Sequence, residues 1–233
     1  KIFQVDRTMS KTNEQRLTVN KTYKLFIGGK FPRTESGRYY ELRGRRDALL
    51  ANVSRASRKD LRNAVVAARK AFPGWAGTTA FLRGQILYRI AELLEGRAPQ
   101  FEEELRAQGA TPAAARKEVA ASVELFVHYA GWSDKYQALF SSVNPVGTPH
   151  FNFSMPEPTG VVAAVVPGGT GLLGLSSALA PILVGGNAGV LLASHKKPLC
   201  AITLAEVLNS SDIPGGVVNI LTGVRNELLP HLA

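Results

Sequence analysis

Cysteine is nearly absent from this chain of 233 residues, in which Cys200 is the only one. A single cysteine excludes a disulfide within the chain and any metal cage built from several thiolates. The four histidines are scattered without the spacing of metal ligands, so the sequence predicts no metal site. Because a chain without disulfides fits a reducing compartment, we expect a cytoplasmic location.

Long hydrophobic runs are also missing. No stretch reaches the length of about eighteen apolar residues that a membrane-spanning helix needs. Residues 1–30 are too polar to contain the core of a signal peptide. With 45% hydrophobic residues, the chain can instead bury a sizeable core as one large domain or two small ones. We therefore expect no membrane association.

Positive charge is plentiful but unevenly distributed. The formal net charge is +10; residues 1–117 hold 24 Lys and Arg against 11 Asp and Glu, whereas residues 118–233 hold 4 against 7. A basic half can attract nucleic acid, an anionic cofactor or an acidic partner. The bases are interspersed with acids along helices and lack the interleaved aromatic residues of a nucleic-acid platform. We therefore expect solvated helix faces and no nucleic-acid partner.

The amino-terminal half is predicted to be a helical layer. Residues 1–22 lack periodicity and are interpreted as a polar tail. Short β-type runs at 23–27 and 39–42 suggest a small hairpin. Helical periodicity, which begins at a good N-cap residue, Ser57, predicts helices over residues 57–73, 80–95, 99–108 and 112–140.

The pattern changes after residue 141. Residues 150–155 alternate as a strand exposed on one face does. Beyond Gly160, continuous apolar runs alternate with helical segments, which is typical of strands buried on both faces. The predicted fold is therefore α/β, with the helical layer followed by part of a doubly wound parallel sheet. Its predicted strands cover residues 161–166, 189–193 and 217–221, and its helices cover 172–183 and 198–209.

A glycine-rich turn follows the first strand of this sheet. Residues 169–174 fit the pattern G-x-G-x-x-G between a strand and a helix, where backbone amides can hold a pyrophosphate. That nucleotide fingerprint also needs an acidic residue about twenty positions later. The second strand ends instead in Ser194, His195, Lys196 and Lys197. The alternative is a glycine turn that allows close packing of helix and strand.

Several separated motifs carry a resemblance to a known family. They are PTGVVAAVVP at 158–167, Gly186-Asn187, DIPGGVVN at 212–219 and YAGWSDK at 129–135. In their order along the chain, these motifs resemble the cofactor-binding domain of the aldehyde dehydrogenases, over roughly residues 23 to 229. The resemblance implies that residues 23–233 form an incomplete, Rossmann-like cofactor-binding domain. It also implies an oligomerisation arm at 148–158.

The resemblance further implies a site for NAD or NADP at the ends of the first two strands of the sheet. The positions that match it are Val166, Pro167, Gly168, Gly169, Ser194 and His195. These six residues are the candidate cofactor-binding residues.

Two departures from the family pattern affect this site. Gly169 stands where the family usually has the Asn of Pro-Trp-Asn-Phe-Pro, which helps to stabilise an oxyanion; losing one such donor costs on the order of 10²–10³ in rate. Where the family usually has Lys-Pro-Ser-Glu, whose Lys and Glu hold the adenosine ribose, this chain has Leu192, Ala193, Ser194 and His195. His195 can still bond a ribose, and Lys196 or Lys197 can attract a 2′-phosphate, but neither restores the usual pair. We expect NAD or NADP binding to be weak or absent.

No catalytic residue can be assigned. In the family the nucleophilic cysteine lies well past the third strand, whereas this chain stops at Ala233. Cys200 shares an apolar helix side with Leu204 and Leu208, which is typical of a core cysteine rather than a nucleophile. We therefore expect no aldehyde oxidation by this chain.

Three hypotheses follow for the function. The first is a catalytically degenerate aldehyde-dehydrogenase-like domain with a structural or regulatory role, partnered by a second copy or by an active aldehyde dehydrogenase subunit or domain. The second is the amino-terminal part of an active NAD(P)-dependent aldehyde dehydrogenase. The third is a module that binds a nucleotide or an acidic partner through the glycine turn and the basic half.

Overall fold

The structure is a computed structural model that describes residues 21–232. Its strands are β1 (Tyr39–Arg43), β2 (Leu49–Ser54), β3 (Ser142–Asn144), β4 (Asn152–Ser154), β5 (Val161–Val165), β6 (Ala188–Leu192) and β7 (Val218–Leu221). Its helices are α1 (Arg58–Ala76), α2 (Ala80–Gly96), α3 (Ala98–Ala107), α4 (Pro112–Trp132), α5 (Tyr136–Phe140), α6 (Leu173–Val184), α7 (Leu199–Asn209) and α8 (Arg225–Leu228). The predicted polar tail, residues 1–22, lies almost wholly outside the described residues.

A three-stranded parallel sheet organises the carboxy-terminal half. β6 lies in the middle and pairs with β5 on one side, where Val161 is opposite Ala188, and with β7 on the other. The outer edge of β7 is bridged by Phe26, whose backbone exchanges hydrogen bonds of 2.9 and 2.8 Å with Ile220. The predicted α/β fold with a parallel sheet is confirmed.

Helices cover both faces of this sheet. Val190 and Leu192 of β6 pack with Leu61 and Ala64 of α1. Leu191, which points the opposite way because side chains alternate along a strand, packs into the core that contains α6 and α7. Both faces are therefore buried, as a parallel sheet requires. The face formed by Val190 and Leu192 is covered by α1, which precedes the sheet in the sequence and does not connect two of its strands.

The helical layer forms the larger core with α6 and α7. Trp75, Phe101 and Phe126 are fully buried there, and the indole Nε1 of Trp75 donates to the Leu183 carbonyl at 3.2 Å. The predicted N-cap of α1 is confirmed, since Ser57 accepts from the backbone amide of the third helical residue and its own amide donates to that residue's carboxylate. This capping box fixes where α1 begins.

Three predicted boundaries were wrong. The run at 39–42 pairs with β2 and not with residues 23–27, which make only isolated bridges. The predicted helix to 140 is divided, because α4 ends at Trp132 and α5 begins at Tyr136. Pro73 does not end α1, which continues to Ala76. Pro73 removes one helical hydrogen bond, but the last turn still closes, because the Gly77 amide donates to the Pro73 carbonyl at 3.1 Å.

An antiparallel hairpin of β3 and β4 stands out from the domain. All three residues of β4 are exposed, and the rings of Phe151 and Phe153 lie 5.5 Å apart at its surface. Val143 on β3 is 70% exposed and Phe151 is 74% exposed. The strand predicted at 150–155 is thus present, although it is shorter and belongs to a hairpin. A two-stranded hairpin with exposed aromatic residues is marginally stable by itself.

A buried carboxylate joins α3 to α7. Glu104 Oε1 accepts hydrogen bonds from Thr203 Oγ1 at 2.6 Å and from the Tyr23 hydroxyl at 3.1 Å, and Lys21 Nζ lies 3.8 Å away. Its second oxygen, Oε2, has no hydrogen-bond partner among residues 21–232. Burial raises the pKa of Glu104, and the hydrogen bond from Thr203 and the charge of Lys21 offset only part of that rise.

Replacing Glu104 with Gln is expected to stabilise the fold near neutral pH. A carboxyl whose pKa is higher in the folded than in the unfolded chain supports folding at low pH, and that support is lost as the pH rises through the folded value. Relative to the wild type, the Gln variant should therefore gain stability between acidic and neutral pH, by on the order of 1 kcal/mol, because only the wild type takes on a buried charge in that range. Urea unfolding across that pH range measures it. The exposed neighbour Glu103→Gln is the control, and equal pH profiles for wild type and Glu104→Gln would contradict the prediction.

Candidate active site

The candidate cofactor-binding residues meet where β5 and β6 end. The Val166 amide extends the strand pairing with a 2.9 Å hydrogen bond to the Leu192 carbonyl. Ser194 Oγ donates to the Gly168 carbonyl at 3.3 Å, which ties the two loops together. Val166 and Ser194 are each 3% exposed, whereas Pro167, Gly168 and Gly169 are exposed. The structure thus brings together the residues that the sequence predicted, in a loop held by its own hydrogen bonds.

Lys197, which follows β6 in the chain, is bonded to the same loop. Its Nζ donates to the Gly169 carbonyl at 2.7 Å, and its backbone amide donates to Ser194 Oγ at 3.1 Å. The ammonium group and the serine hydroxyl are therefore both engaged within the chain. A ligand that used either group would have to displace an existing hydrogen bond.

A carboxylate from the helical layer occupies the start of α6. Glu118 Oε1 accepts from the amides of Gly171, Leu172 and Leu173 at 2.9, 2.8 and 3.1 Å. Amides at a helix N-terminus are the groups that would hold a pyrophosphate in the glycine-rich interpretation. Here they already bind an internal anion, so the glycine turn does not present them to a nucleotide. No sequence signal indicated Glu118, which lies more than fifty residues before the turn.

The later glycines of the turn serve packing. A Cβ at Gly171 would lie 2.7 Å from Leu105 Cδ2, and one at Gly174 would lie 2.9 Å from Val166 Cγ1. Those contacts are closer than carbon atoms tolerate, so any side chain at either position would force Leu105 or Val166 to shift. Gly168 and Gly169 differ, because a Cβ there would meet no atom within 4 Å. Gly169 therefore leaves open space at the position that matches the family's Asn.

His195 is held by a residue that the sequence did not indicate. The imidazole ring lies 4.5 Å from the Tyr40 ring, centre to centre, and the Tyr40 hydroxyl donates to the His195 carbonyl at 3.2 Å. Burial raises the pKa of Tyr40, so the phenol stays protonated and acts as the donor. The β1–β2 hairpin thereby reaches the adenosine end of the candidate site. The sequence prediction paired residues 39–42 with residues 23–27, and so it did not indicate that Tyr40 lies beside His195.

Neither Leu192 nor Cys200 contributes a polar group to the site. Leu192 is 3% exposed and packs toward α1. Cys200 is fully buried, its Sγ 4.0 Å from the Phe101 carbonyl. Burial, reinforced by the nearby carboxylate of Glu104, raises the pKa of the Cys200 thiol well above its ordinary value. The cysteine is a core residue, as predicted, and does not form a thiolate nucleophile.

Removing the Glu118 carboxylate is expected to destabilise α6. Glu118→Ala leaves three amides at a helix start without their acceptor and should lower the free energy of unfolding by about 1–2 kcal/mol. Glu124→Ala, an exposed change on the same helix α4, is the matched control and should change stability by less than about 0.5 kcal/mol. Urea unfolding measures both. Faster hydrogen exchange at the amides of residues 171–173 is expected only in Glu118→Ala, and unchanged exchange there would count against the cap.

Two kinds of feature are absent from the described residues. Within residues 21–232 no helix is long and apolar enough to cross a membrane. In the same part of the chain, no group of three or more His, Cys, Asp or Glu side chains is arranged to hold a metal ion.

The parallel sheet with its covered faces and the loops at its strand ends define a Rossmann-like α/β domain, and comparison with known proteins places it in a family. The profile of the aldehyde dehydrogenase family matches residues 33–233. The chain therefore belongs to the aldehyde dehydrogenase family, as the sequence motifs indicated.

Its relatives include much longer proteins. The chain is 36% identical over 220 residues to the cytosolic 10-formyltetrahydrofolate dehydrogenase of Mus musculus, covering 90% of this chain and 24% of that protein. It is 32% identical over 209 residues to the mitochondrial benzaldehyde dehydrogenase of Antirrhinum majus, covering 86% and 38% respectively. The chain thus spans about a quarter to two fifths of these relatives.

Solved structures agree with the fold. A putative aldehyde dehydrogenase from Burkholderia cenocepacia superposes with a TM-score of 0.87 at 29% identity, covering 91% of this chain and 43% of that one. The NAD+ complex of the aldehyde dehydrogenase from Bacillus cereus superposes with a TM-score of 0.86 at 28% identity, covering 91% and 44%.

Proposed function

We propose that this chain is a catalytically degenerate aldehyde-dehydrogenase-like domain with a structural or regulatory role. The observation that carries the proposal is the state of the candidate cofactor site. Gly169 offers no side-chain donor, Leu192 is buried, and Glu118 fills the amides at the start of α6. These features are built into the sequence of the site itself. They leave a domain that keeps the family fold without the polar groups of the family site.

The cofactor is expected to bind weakly or not at all. The hydroxyl of Ser194 and the ammonium group of Lys197 already hold the loop. The His195 ring packs on Tyr40, and Lys196 is exposed. The described residues therefore do not fit the donor set that an NAD or NADP site needs, because a nucleotide would have to break internal hydrogen bonds to gain its own. The solved relative from Bacillus cereus is an NAD+ complex, whereas the residues of this chain predict weak binding.

The partner is proposed to be a second copy or an active aldehyde dehydrogenase subunit or domain. Among residues 21–232, no strand pairs with the outer edge of β5. Open strand edges are normally covered in native proteins. The β3–β4 hairpin adds exposed apolar residues in the region of the predicted arm, 148–158. A cytoplasmic location is proposed in line with the cytosolic relatives, whereas other relatives, such as the benzaldehyde dehydrogenase of Antirrhinum majus, are named mitochondrial.

Titration calorimetry with NAD and with NADP tests this proposal. We expect dissociation constants weaker than about 1 mM for both, since the remaining contacts are few. The aldehyde dehydrogenase from Bacillus cereus, described with NAD+, serves as the positive control. A dissociation constant in the low micromolar range for this chain would overturn the degenerate assignment.

A second candidate function is the amino-terminal part of an active NAD(P)-dependent aldehyde dehydrogenase. Identity of 36% across 90% of the chain to a protein named as a dehydrogenase favours it. This candidate predicts micromolar cofactor binding, so the same titration separates it from the first.

A further inference from the structure

A basic groove runs along the outer side of α1. It lies between that helix and the turn at 229–231 and has a volume of about 520 Å³. Three arginines, Arg58, Arg62 and Arg69, line it, and its apolar residues include Val65 and Val66. Within the described residues, no carboxylate lines the groove.

The register of α1 creates this stripe. Leu61, Ala64 and Ala68 are buried against the sheet, so the opposite side of the helix faces outward. The arginines follow at intervals of four and seven residues, which places them on one side of a helix with 3.6 residues per turn. At 1.5 Å per residue, Arg58 and Arg69 are about 16 Å apart along the axis. The stripe is thus about three helical turns long.

The charges of the groove are not neutralised within the described chain. Beside it, Arg55 pairs with Glu227, and Lys59 pairs with Glu35 at 2.8 Å. None of the ion pairs among residues 21–232 includes Arg58, Arg62 or Arg69. Neighbouring bases have partners while the three in the groove have none in this part of the chain. The groove therefore presents an uncompensated positive stripe.

The composition of the groove distinguishes between possible anionic partners. No Phe, Tyr or Trp lines it and its one ring is that of His231, so it lacks the series of aromatic side chains on which successive nucleic-acid bases stack. Its apolar residues include Val66, which is 57% exposed, and Pro230. Guanidinium groups pair with carboxylates in two-pronged hydrogen bonds. Carboxylates on an apolar-faced helix match both features at once.

We propose that this groove binds an acidic amphipathic helix of a partner protein, about three turns long. Its carboxylates pair with Arg58, Arg62 and Arg69, and its apolar side covers Val65 and Val66. The groove lies on the outer side of α1, whereas the candidate cofactor loops lie at the ends of the strands that α1 covers. The inference therefore goes beyond the proposed function and does not depend on it.

Fluorescence anisotropy with a labelled helical peptide tests the proposal. The probe has glutamates at positions i, i+7 and i+11 with leucines between them, which mirrors the stripe. The variant Arg58→Glu, Arg62→Glu, Arg69→Glu should weaken binding at least about tenfold, since exposed ion pairs contribute up to about 1 kcal/mol each. The matched control changes three exposed bases on α3 and α4, Arg106→Glu, Arg116→Glu and Lys117→Glu, with less than about a twofold effect.

A milder variant, a scrambled peptide and two other binding partners complete the test. If the triple variant does not fold by circular dichroism, the milder pair Arg62→Gln and Arg69→Gln replaces it, with a weakening of at least about threefold expected. A peptide of the same composition in scrambled order should bind at least about threefold more weakly. The proposal is overturned if the wild type does not bind the probe, or if the control triple weakens binding equally. Tighter binding of oligo-dT than of the peptide, or self-association abolished by the triple variant, would assign the groove to another partner.

Discussion

Replacing Phe151 and Phe153 with serine is expected to dissociate the oligomer that we propose for this chain. Both rings lie on the β3–β4 hairpin, exposed by 74% and 56%. Burying an apolar side chain of this size in an interface contributes about 2 kcal/mol, so losing two raises the dissociation constant roughly a thousandfold. Light scattering coupled to size exclusion at micromolar concentration measures the shift from oligomer to monomer.

The control for this variant removes equally exposed apolar residues elsewhere. Phe81→Ser and Tyr88→Ser change side chains on α2 that are 70% and 53% exposed. They should leave the proposed oligomer intact, because our proposal assigns the association to the hairpin and to the edge of β5. A wild-type chain that is monomeric and does not aggregate at these concentrations, with the amides of Val161–Val165 protected from hydrogen exchange, would refute the assignment.

The strands and helices of the sheet were the most predictable part of this protein. β5 and β6 are continuous apolar runs, β7 is interrupted only by the buried Asn219, and β6 has all five residues buried. Burial on both faces removes the alternation of a surface strand, and that pattern is visible in a single sequence. Local signals also placed α1, whose first turn is closed by the hydrogen bonds of Ser57. Predictions of this kind succeed because the cause lies within a few residues.

Contacts between distant residues could not be predicted in the same way. Glu118 reaches the amide of Gly171 across 53 residues, and Tyr40 reaches His195 across 155. Neither residue differs in type or spacing from an ordinary exposed residue of a helix or hairpin. Their roles depend on how the helical layer and β1 dock on the sheet, which single-sequence periodicity does not specify. The resemblance located the loops, but the structure was needed to show what already fills them.

The glycine-rich turn has the sequence pattern of a nucleotide-binding loop, whereas its structure indicates a role in packing. Substitutions in the turn are expected to distinguish these two interpretations. Gly174→Val should lower the free energy of unfolding by about 3 kcal/mol. The added carbon would lie 2.9 Å from Val166 Cγ1 and would also meet the hydroxyl of Thr170, in a position that is already buried. Gly169→Val is the matched control. It enters open space at a backbone conformation that other residues adopt, so its cost should stay within about 0.5 kcal/mol.

Stability and nucleotide binding, measured on the same pair of variants, distinguish the two interpretations of the turn. If the glycines cradled a pyrophosphate, Gly169→Val would block the approach of a phosphate and reduce nucleotide binding while leaving the fold unchanged. If they serve packing, the loss appears at Gly174 as instability in urea and no nucleotide effect appears at Gly169. The geometry favours packing at Gly171 and Gly174, because the amides at the start of α6 are bound by Glu118 and a Cβ at either glycine would crowd Leu105 or Val166. A Gly174→Val chain as stable as the wild type would mean that Val166 and Thr170 move aside, and the packing explanation would then fail.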